Sequence, residues 1–322
     1  MKKIYVSLLL VVVMVIAAAC GSNNSGNNGN DNTSNNNEAS ETMTIEHELG
    51  TSEIEKNPEK VVVFDFGVLD TFKKLGLEDK VVGVAQAGVI PSYIDEFASE
   101  DYANIGSLKE PDFEKIAELD PDLILISGRQ SEVYDQLQEI AETVFIGVDT
   151  ENYMDSFTEN VTTIGEMFGK ESEVEDALAE IDDTIASVNE KAEEADKNAL
   201  IILANDDKIS AYGPSSRFGI IHDVFGVPAV DEGIEVSTHG SNVSFEYVTE
   251  QDPDLLYVID RGAVVGGESS AKQVVENKLM ERTKAFQNDD IYYLDPEFWY
   301  LSGGGLISVQ EMANQIEESL VK

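Results

Sequence analysis

The chain has 322 residues and a formal net charge of −42, because 63 Asp and Glu residues outnumber 21 Lys and Arg residues. A surface that acidic repels a phosphate backbone, which excludes nucleic-acid binding as the function. The hydrophobic fraction of 42% is enough to bury a core, and the length allows about two domains. One cysteine and three histidines exclude an intramolecular disulfide and argue against a zinc site made by the protein.

The first residues have the pattern of a secretory signal. Lys2 and Lys3 precede an apolar stretch that ends in small residues before Cys20, and Ala17 stands where lipoprotein signals usually have leucine. A cysteine directly after small residues is typical of a lipoprotein, in which the thiol receives a diacylglycerol. We therefore expect removal of residues 1–19 and a stable lipid anchor at Cys20. The alternative is a plain signal or a short membrane anchor with an unmodified cysteine.

The segment after this signal is rich in Asn, Ser and Gly and poor in apolar side chains. Such a composition predicts a flexible tether over residues 20–42. The tether would hold a folded body beside the extracellular face of the cell membrane.

The rest of the chain alternates apolar strands with helical stretches in two halves. This pattern predicts an α/β fold with two lobes, 43–151 and 197–322, and with the ligand cleft between them. The predicted strands are 61–66, 81–85, 123–127 and 143–148 in the first half, and 199–206, 255–260 and 291–295 in the second.

A helical region, 152–196, separates the two halves. Apolar residues recur there at helical spacing, Gly169 interrupts them, and acidic residues occupy the outer positions of the second stretch. A helix from Ser172 to Ala195 would be about 36 Å long, enough to join two lobes. The alternative is a helix that pairs with a partner as a coiled coil.

An internal repeat relates the two halves. Residues 113–129 align without a gap with residues 245–261, and both copies contain an Asp-Pro-Asp turn before the strand and end in arginine. Ligands of open α/β sheets bind beyond the carboxyl ends of the strands. We therefore expect Arg129 and Arg261 to point into the space between the lobes, although a salt bridge is the ordinary alternative in so acidic a chain.

The mature chain resembles the solute-binding proteins of iron-siderophore ABC importers, and within them the lipoproteins that bind ferric petrobactin. The resemblance rests on Cys20 and on these stretches: 57–65, 106–127, 127–132, 217–226, 237–240, 258–262 and 299–305. It implies two α/β lobes joined by one long helix, a ferric siderophore in the cleft, and delivery to an ABC permease. Iron would be held by the siderophore, so neither a cofactor nor a metal site of the protein is expected.

Scarce cations are the candidates for holding an anionic iron complex. The resemblance places siderophore contacts at Arg129, Arg217 and Arg261, three of the four arginines in the chain, and Lys109 is a fourth candidate. Guanidinium groups bind charged oxygens in pairs and stay protonated at physiological pH. The fourth arginine, Arg282, belongs to a charged helix and is expected at the surface.

Three further residues are candidates for ligand contact through hydrogen bonds or ring stacking. These are His239, Tyr300 and Trp299, with core packing as the alternative for Trp299. His222 lies in an apolar stretch and is expected to be a packed histidine with its hydrogen bond satisfied.

Glu114 and Glu246 occupy the same position in the two repeat copies. In the family that the chain resembles, acids at these positions engage arginines of the permease; the alternative is a carboxylate favoured at a helix N-terminus. We expect a monomeric binding protein and no enzyme, since the chain has no nucleophile–base motif. The other possibilities are a receptor for haem, a hydroxamate, a citrate complex or a bare metal ion, and an enzyme that acts on the siderophore.

Overall fold

The computed structural model describes residues 41–267 and 269–321. The predicted signal peptide, Cys20 and nearly all of the predicted tether lie outside the described residues. Within the described residues, no helix combines the length and the apolar character needed to cross a membrane.

The first half of the fold is built on a five-stranded parallel sheet. An antiparallel hairpin precedes it, formed by β1 (Thr42–His47) and β2 (Gly50–Glu55). The sheet has the order β5-β4-β3-β6-β7, and its strands are β3 (Val61–Val63), β4 (Val81–Val84), β5 (Ala103–Asn104), β6 (Leu123–Ile126) and β7 (Thr143–Phe145). Its helices are α1 (Phe66–Leu75), α2 (Phe113–Leu119) and α3 (Tyr134–Gln138). The strands are apolar along their length because helices cover both faces of a parallel sheet.

Two helices follow, α4 (Tyr153–Phe168) and α5 (Glu171–Ala195). Gly169 ends α4 in the left-handed conformation with φ 64°, which a residue without Cβ adopts at little cost. The 25 residues of α5 form the long helix expected from the sequence. Its buried side chains join the main core together with those of α4 and of the last helix, so its apolar face is covered within the chain. That cover favours the joining helix over a coiled coil with a partner.

The second half contains a mixed five-stranded sheet. Its order is β10-β9-β8-β11-β12, with strands β8 (Ala199–Asn205), β9 (Lys208–Tyr212), β10 (Ser241–Val243), β11 (Leu255–Asp260) and β12 (Ile291–Leu294). The helices are α6 (Ile220–Asp223), α7 (Phe245–Gln251), α8 (Arg261–Val265), α9 (Ala271–Val275), α10 (Lys284–Gln287) and α11 (Leu306–Leu320). The three parallel strands match the sequence prediction. The antiparallel strands β9 and β10 were not predicted, because β9 follows β8 after a two-residue turn and β10 is three residues long.

The repeat has the same local structure in both halves. Each copy is a seven-residue helix, α2 or α7, followed by a turn and the fourth strand of its five-stranded sheet, β6 or β11. Asp120 and Asp252 end the two helices in the left-handed conformation, at φ 50° and 48°. Aspartate tolerates this conformation better than most residues, and the proline that follows each one cannot continue a helix. The two copies of the repeat therefore share one local structure.

A hydrogen-bonded junction joins α11 to the first lobe. The buried carboxylate of Asp70, on α1, accepts from the backbone N–H groups of Ile307 at 3.1 Å and Ser308 at 3.0 Å. The hydroxyl of Tyr93 lies 3.2 Å from Asp70 Oδ2 and 2.6 Å from Ser302 Oγ. Since α11 also packs along α5, the lobes are braced at a second place besides α5.

The glycine run that precedes α11 allows this close approach. Gly305 is the N-cap of α11, and a methyl group at this position would overlap both Asp70 Oδ1 and the carbonyl oxygen of Gly67. Gly305 therefore both begins the last helix and lets the backbone of α1 approach it closely.

Because Asp70 is buried in this junction, we expect the stability difference between Asp70→Asn and wild type to depend on pH. Burial raises the pKa of Asp70 to about 7, although hydrogen bonds from Ser308, Ile307 and Tyr93 oppose the increase. The stability that this proton contributes is complete below the ordinary aspartate pKa and is lost as the pH rises to about 7. Asp70→Asn keeps an acceptor and never ionises. We therefore expect the free energy of unfolding of the variant, relative to wild type, to increase by about 1.4 kcal/mol per pH unit from roughly pH 4 to 7.

Urea unfolding at pH 5, 6, 7 and 8 measures this difference. Asp207→Asn is the control, because it removes the same charge at an exposed position between β8 and β9. A difference between Asp70→Asn and wild type that stays constant with pH would contradict the prediction.

Candidate functional site

Arg129 and Arg261 follow equivalent strands, as the repeat requires. Arg129 lies in a 3₁₀ segment, Gly128–Val133, directly after β6, and Ser127 begins that segment as its N-cap. Arg261 is the first residue of α8, and Asp260 caps that helix by accepting from the backbone N–H of Ala263 at 3.1 Å. Both arginines therefore stand in helical turns just beyond the carboxyl ends of parallel strands, where open α/β sheets bind ligands.

A compact turn between β9 and α6 presents Arg217. Ser215 has a φ of 58°, and its backbone N–H donates to Asp223 Oδ2 at 2.6 Å. Gly219 closes the turn, since a Cβ there would lie 2.8 Å from the backbone nitrogens of Ser215 and Ser216. Backbone strain of this kind is typical of functional sites, because the surrounding structure has to hold it in place.

Tyr300 contacts two of the three arginines. Arg217 Nη2 donates to the carbonyl oxygen of Tyr300 at 2.6 Å, and Arg261 Nε donates to its hydroxyl at 2.7 Å. The guanidinium carbons of Arg217 and Arg261 lie 4.4 and 5.7 Å from the centroid of the Tyr300 ring. Both distances allow attraction between cation and ring. Tyr300 belongs to a π-helical turn, Glu297–Leu301, a rare conformation that is frequent at functional sites.

The electrostatic environment connects Arg129 to the same group. Burial lowers the pKa of Arg217, and the positive charge of Arg129 lowers it further. Burial alone would raise the pKa of Tyr300, but the hydrogen bond from Arg261 and the charges of Arg261 and Arg217 outweigh it and lower the pKa below its ordinary value. Arg217, Arg261 and Tyr300 of the second lobe contact one another, and the charge of Arg129 from the first lobe acts on Arg217. These four residues are called here the arginine cluster.

Within the part of the chain that the structure describes, no carboxylate forms an ion pair with an arginine of the cluster. Arg129, Arg217 and Arg261 form no ion pair there, and every ion pair among residues 41–267 and 269–321 uses a lysine. The alternative of salt bridges, which the sequence left open for these arginines, is therefore not found among those residues. The cluster is a concentration of positive charge within a chain of net charge −42.

Asn205 is a member of the site that sequence reasoning missed. Its Oδ1 accepts from Arg261 Nη1 at 2.7 Å. Strands β8 and β11 are parallel with Ala204 opposite Asp260, so the next pair in register is Asn205 and Arg261. Asn205 lies next to the last residue of the predicted strand 199–206, but only the order of the strands in the sheet makes it a neighbour of Arg261.

The remaining candidates lie in different surroundings. Lys109 and His239 are exposed in loops before α2 and β10. Trp299 is 3% exposed, and its indole N–H donates to Gln315 Oε1 at 3.3 Å, which favours the packing alternative for this residue. His222 is half-buried and its Nδ1 bonds to the carbonyl oxygen of Val227 at 2.7 Å, as expected of a packed histidine.

Glu114 and Glu246 are exposed in the first turns of α2 and α7. The N-cap residues Asp112 and Ser244 accept from backbone N–H groups and so satisfy the helix ends themselves. The two glutamates are exposed at equivalent positions of the two lobes. Hydrogen bonds from its own backbone N–H and from Ser244 lower the pKa of Glu246, which fits the alternative of a carboxylate favoured at a helix N-terminus for that residue.

Two other findings bear on ligands. No group of three or more His, Cys, Asp or Glu side chains suited to a metal ion occurs among residues 41–267 and 269–321. A concavity of about 830 Å³ lies on the first lobe, and its lining includes Glu46, Asp149, Asp155 and Glu159. Its acidic wall does not suit an anionic ligand, and none of the predicted ligand residues lines it.

Comparison with known proteins agrees with this geometry. The family model described as periplasmic binding protein matches residues 61–298. The petrobactin-binding protein YclQ of Bacillus subtilis is 53% identical over 88% of this chain and 89% of its own, and the ferric-anguibactin-binding protein FatB of Vibrio anguillarum is 30% identical over 85% and 86%.

Solved structures show the same fold. The crystal structure of YclQ superposes with a TM-score of 0.85 and covers 88% of this chain and 99% of that chain. The catecholate-siderophore binding protein VctP of Vibrio cholerae is 33% identical, with a TM-score of 0.82 and coverage of 86% and 100%. The resemblance inferred from the sequence motifs is confirmed, and the chain belongs to the periplasmic binding protein family, whose members bind substrates.

Proposed function

We propose that this protein captures a ferric siderophore in the cleft between its lobes and delivers it to an ABC permease for iron uptake. The observation that carries the proposal is the arginine cluster, in which three guanidinium groups have no described carboxylate partner although acids outnumber bases 63 to 21. Such a cluster suits an anionic ligand whose charge is carried by oxygen atoms.

The chemistry of a ferric catecholate fits these residues. Its catecholate oxygens can each accept from a guanidinium fork, and at about 4 Å and an effective dielectric of 20 one such contact gains on the order of 4 kcal/mol before desolvation. Desolvation removes much of that gain, so several contacts are needed for tight binding. Tyr300, His239 and Lys109 would add ring stacking, hydrogen bonds and a further positive charge at the periphery.

Ferric petrobactin is the proposed ligand. Petrobactin carries two catecholates and a citrate, and the relative that is 53% identical is named for binding it. The Vibrio cholerae protein, 33% identical, is named for catecholate siderophores. Three or four cations match the charge of such a complex, and haem, hydroxamate and citrate complexes are the competing ligands.

Fluorescence titration tests the proposal. Trp299 is the single tryptophan and precedes Tyr300 directly, so its emission should be quenched when an iron complex occupies the cluster. We expect saturable quenching with ferric petrobactin at far lower concentration than with ferric hydroxamate, ferric citrate or haem. Equal responses to all four, or none, would refute the proposal.

The same samples separate a binding protein from an enzyme. A binding protein returns the siderophore chemically unchanged after incubation, as mass spectrometry would show. A hydrolysed or demetallated product would instead favour an enzyme on this scaffold. A receptor for bare metal ions would bind Fe³⁺ without a chelator.

We further propose that the mature protein is a monomer held at the outer face of the cell membrane by a lipid on Cys20. One of its relatives in Bacillus subtilis, 28% identical, is named as a putative ABC transporter substrate-binding lipoprotein. Labelling cells with a radioactive fatty acid, with Cys20→Ser as the comparison, would test the anchor.

Glu114 and Glu246 are proposed to dock the permease. Each projects into solvent from an equivalent helix of its lobe, so the two could bind two arginines of a pseudosymmetric partner. We expect the double change Glu114→Lys and Glu246→Lys to reduce iron uptake at least tenfold, because both contacts become repulsive. Siderophore affinity in solution should be unchanged.

Uptake of ⁵⁵Fe-petrobactin by cells that carry only the variant measures this effect. The control is Glu118→Lys with Glu250→Lys, which makes the same charge change one helical turn later in α2 and α7. An equal loss with the control pair would mean that overall charge, rather than docking at Glu114 and Glu246, limits uptake.

A further inference from the structure

Arg217 and Arg261 differ in their partners from the lysines of this protein that form ion pairs. Several lysines within residues 41–267 and 269–321 donate to the carboxylates of Asp or Glu, as expected in an acidic chain. Arg261 donates instead to the amide oxygen of Asn205 and the hydroxyl of Tyr300, and Arg217 donates to a backbone carbonyl. All three acceptors are neutral, so they hold the guanidinium groups without cancelling their charge.

The residues that follow Asn205 are acidic, so the presence of a neutral acceptor at position 205 calls for an explanation. Asp206 and Asp207 follow it directly, so carboxylates stand beside the one residue whose side chain reaches Arg261 from β8. Aspartate has nearly the same shape as asparagine and accepts hydrogen bonds more strongly from a cation. An aspartate at position 205 would therefore hold Arg261 in place as well as asparagine does, or better. The two side chains differ in their charge.

We infer that Asn205 is a positioning residue, which fixes the guanidinium of Arg261 for an anionic ligand while leaving its positive charge uncompensated. The bond to Asn205 uses Nη1 and the bond to Tyr300 uses Nε, so neither bond engages Nη2. This role rests on the proposed function, because an uncompensated positive charge on Arg261 is useful only if the ligand is an anion.

Two substitutions distinguish this role from a structural one. Asn205→Asp keeps the shape and the acceptor but adds a negative charge, whereas Asn205→Ala removes the acceptor and adds none. A structural role predicts that the alanine variant is the weaker binder. Our inference predicts the opposite order: about threefold weaker binding of ferric petrobactin by Asn205→Ala, and tenfold or more by Asn205→Asp.

A second readout needs no ligand. The phenol of Tyr300 responds to the charge of Arg261, with which it shares a hydrogen bond. Its ionisation can be followed by ultraviolet absorbance as the difference between each protein and its Tyr300→Phe counterpart. We expect Asn205→Asp to move this ionisation to higher pH than in wild type, because the added carboxylate compensates Arg261. Asn205→Ala should move it less.

The control is Asn242→Asp, which makes the same change in β10, two strands away from β8 in the same sheet. It should alter neither affinity nor the phenol ionisation. The inference is overturned if Asn205→Asp binds as well as Asn205→Ala or better, or if it leaves the phenol ionisation unchanged. If wild type binds no ferric complex, the proposed function fails, and the phenol measurement alone decides whether Asn205 sets the charge of the cluster.

Discussion

Replacing Arg129, Arg217 and Arg261 together by alanine should weaken the binding of ferric petrobactin by at least about 1,000-fold. Loss of one partner from a desolvated charge pair costs about 2 kcal/mol or more, and each 1.4 kcal/mol is a factor of ten. The three losses will not add fully, because the arginines act on the same ligand and Arg129 already influences Arg217. Quenching of Trp299 fluorescence measures the affinity.

The fourth arginine provides the matched control. Arg282 is exposed in a 3₁₀ turn, Met280–Arg282, and Arg282→Ala removes the same side chain from the lobe that carries Arg217 and Arg261. It should leave the affinity within about twofold of wild type, as expected of a surface substitution. Full affinity in the triple variant would reject the arginine cluster as the ligand site, whereas loss with unchanged unfolding by urea would support it.

Gly305→Ala should destabilise the protein by about 3 kcal/mol or more, because overpacking that cannot relax is costly. The new methyl group would overlap Asp70 Oδ1 and the backbone of Gly67, and only separation of α1 from α11 could relieve it. Gly305 itself has a φ of −110°, so backbone strain contributes nothing to this cost. Urea unfolding at neutral pH measures the effect.

Alanine substitutions at two other glycines serve as controls for the expected loss of stability. A Cβ at Gly88 meets nothing within 4 Å, so Gly88→Ala should be close to neutral. Gly303 has room for a Cβ but a φ of 74°, so Gly303→Ala should cost roughly 1 kcal/mol for the strained backbone. If Gly305→Ala is as stable as Gly88→Ala, the contacts of Asp70 with α11 can adjust to the added methyl group without loss of stability, and the prediction is wrong.

Local patterns were enough to predict much of the fold. Unbroken apolar runs predicted the parallel strands, helical spacing predicted α5, and the repeat placed Arg129 and Arg261 at equivalent strand ends. These features depend on residues close together in sequence, or on a comparison of the chain with itself. The sequence could therefore indicate which arginines are candidates and at which edge of each sheet they stand.

The contacts that organise the site could not be predicted in this way. Asp70 and Ser308 are separated by 238 positions, and nothing near either residue indicates the other. The bond between Asn205 and Arg261 follows from strand order, which the apolar pattern does not specify. Trp299 and Tyr300 are adjacent aromatic residues, and only the π-helical turn decides that the first is buried while the second contacts the arginines.

The junction of Asp70 with α11 has a consequence for how a permease could recognise the loaded protein, if the protein delivers its ligand as proposed. A frame that is pinned both along α5 and at this junction has little freedom to swing its halves together. We therefore expect ligand binding to cause no large change in the overall shape of the protein. A permease that received the proposed cargo would then have to sense the cargo itself, or small changes in the spacing of the two lobe tips.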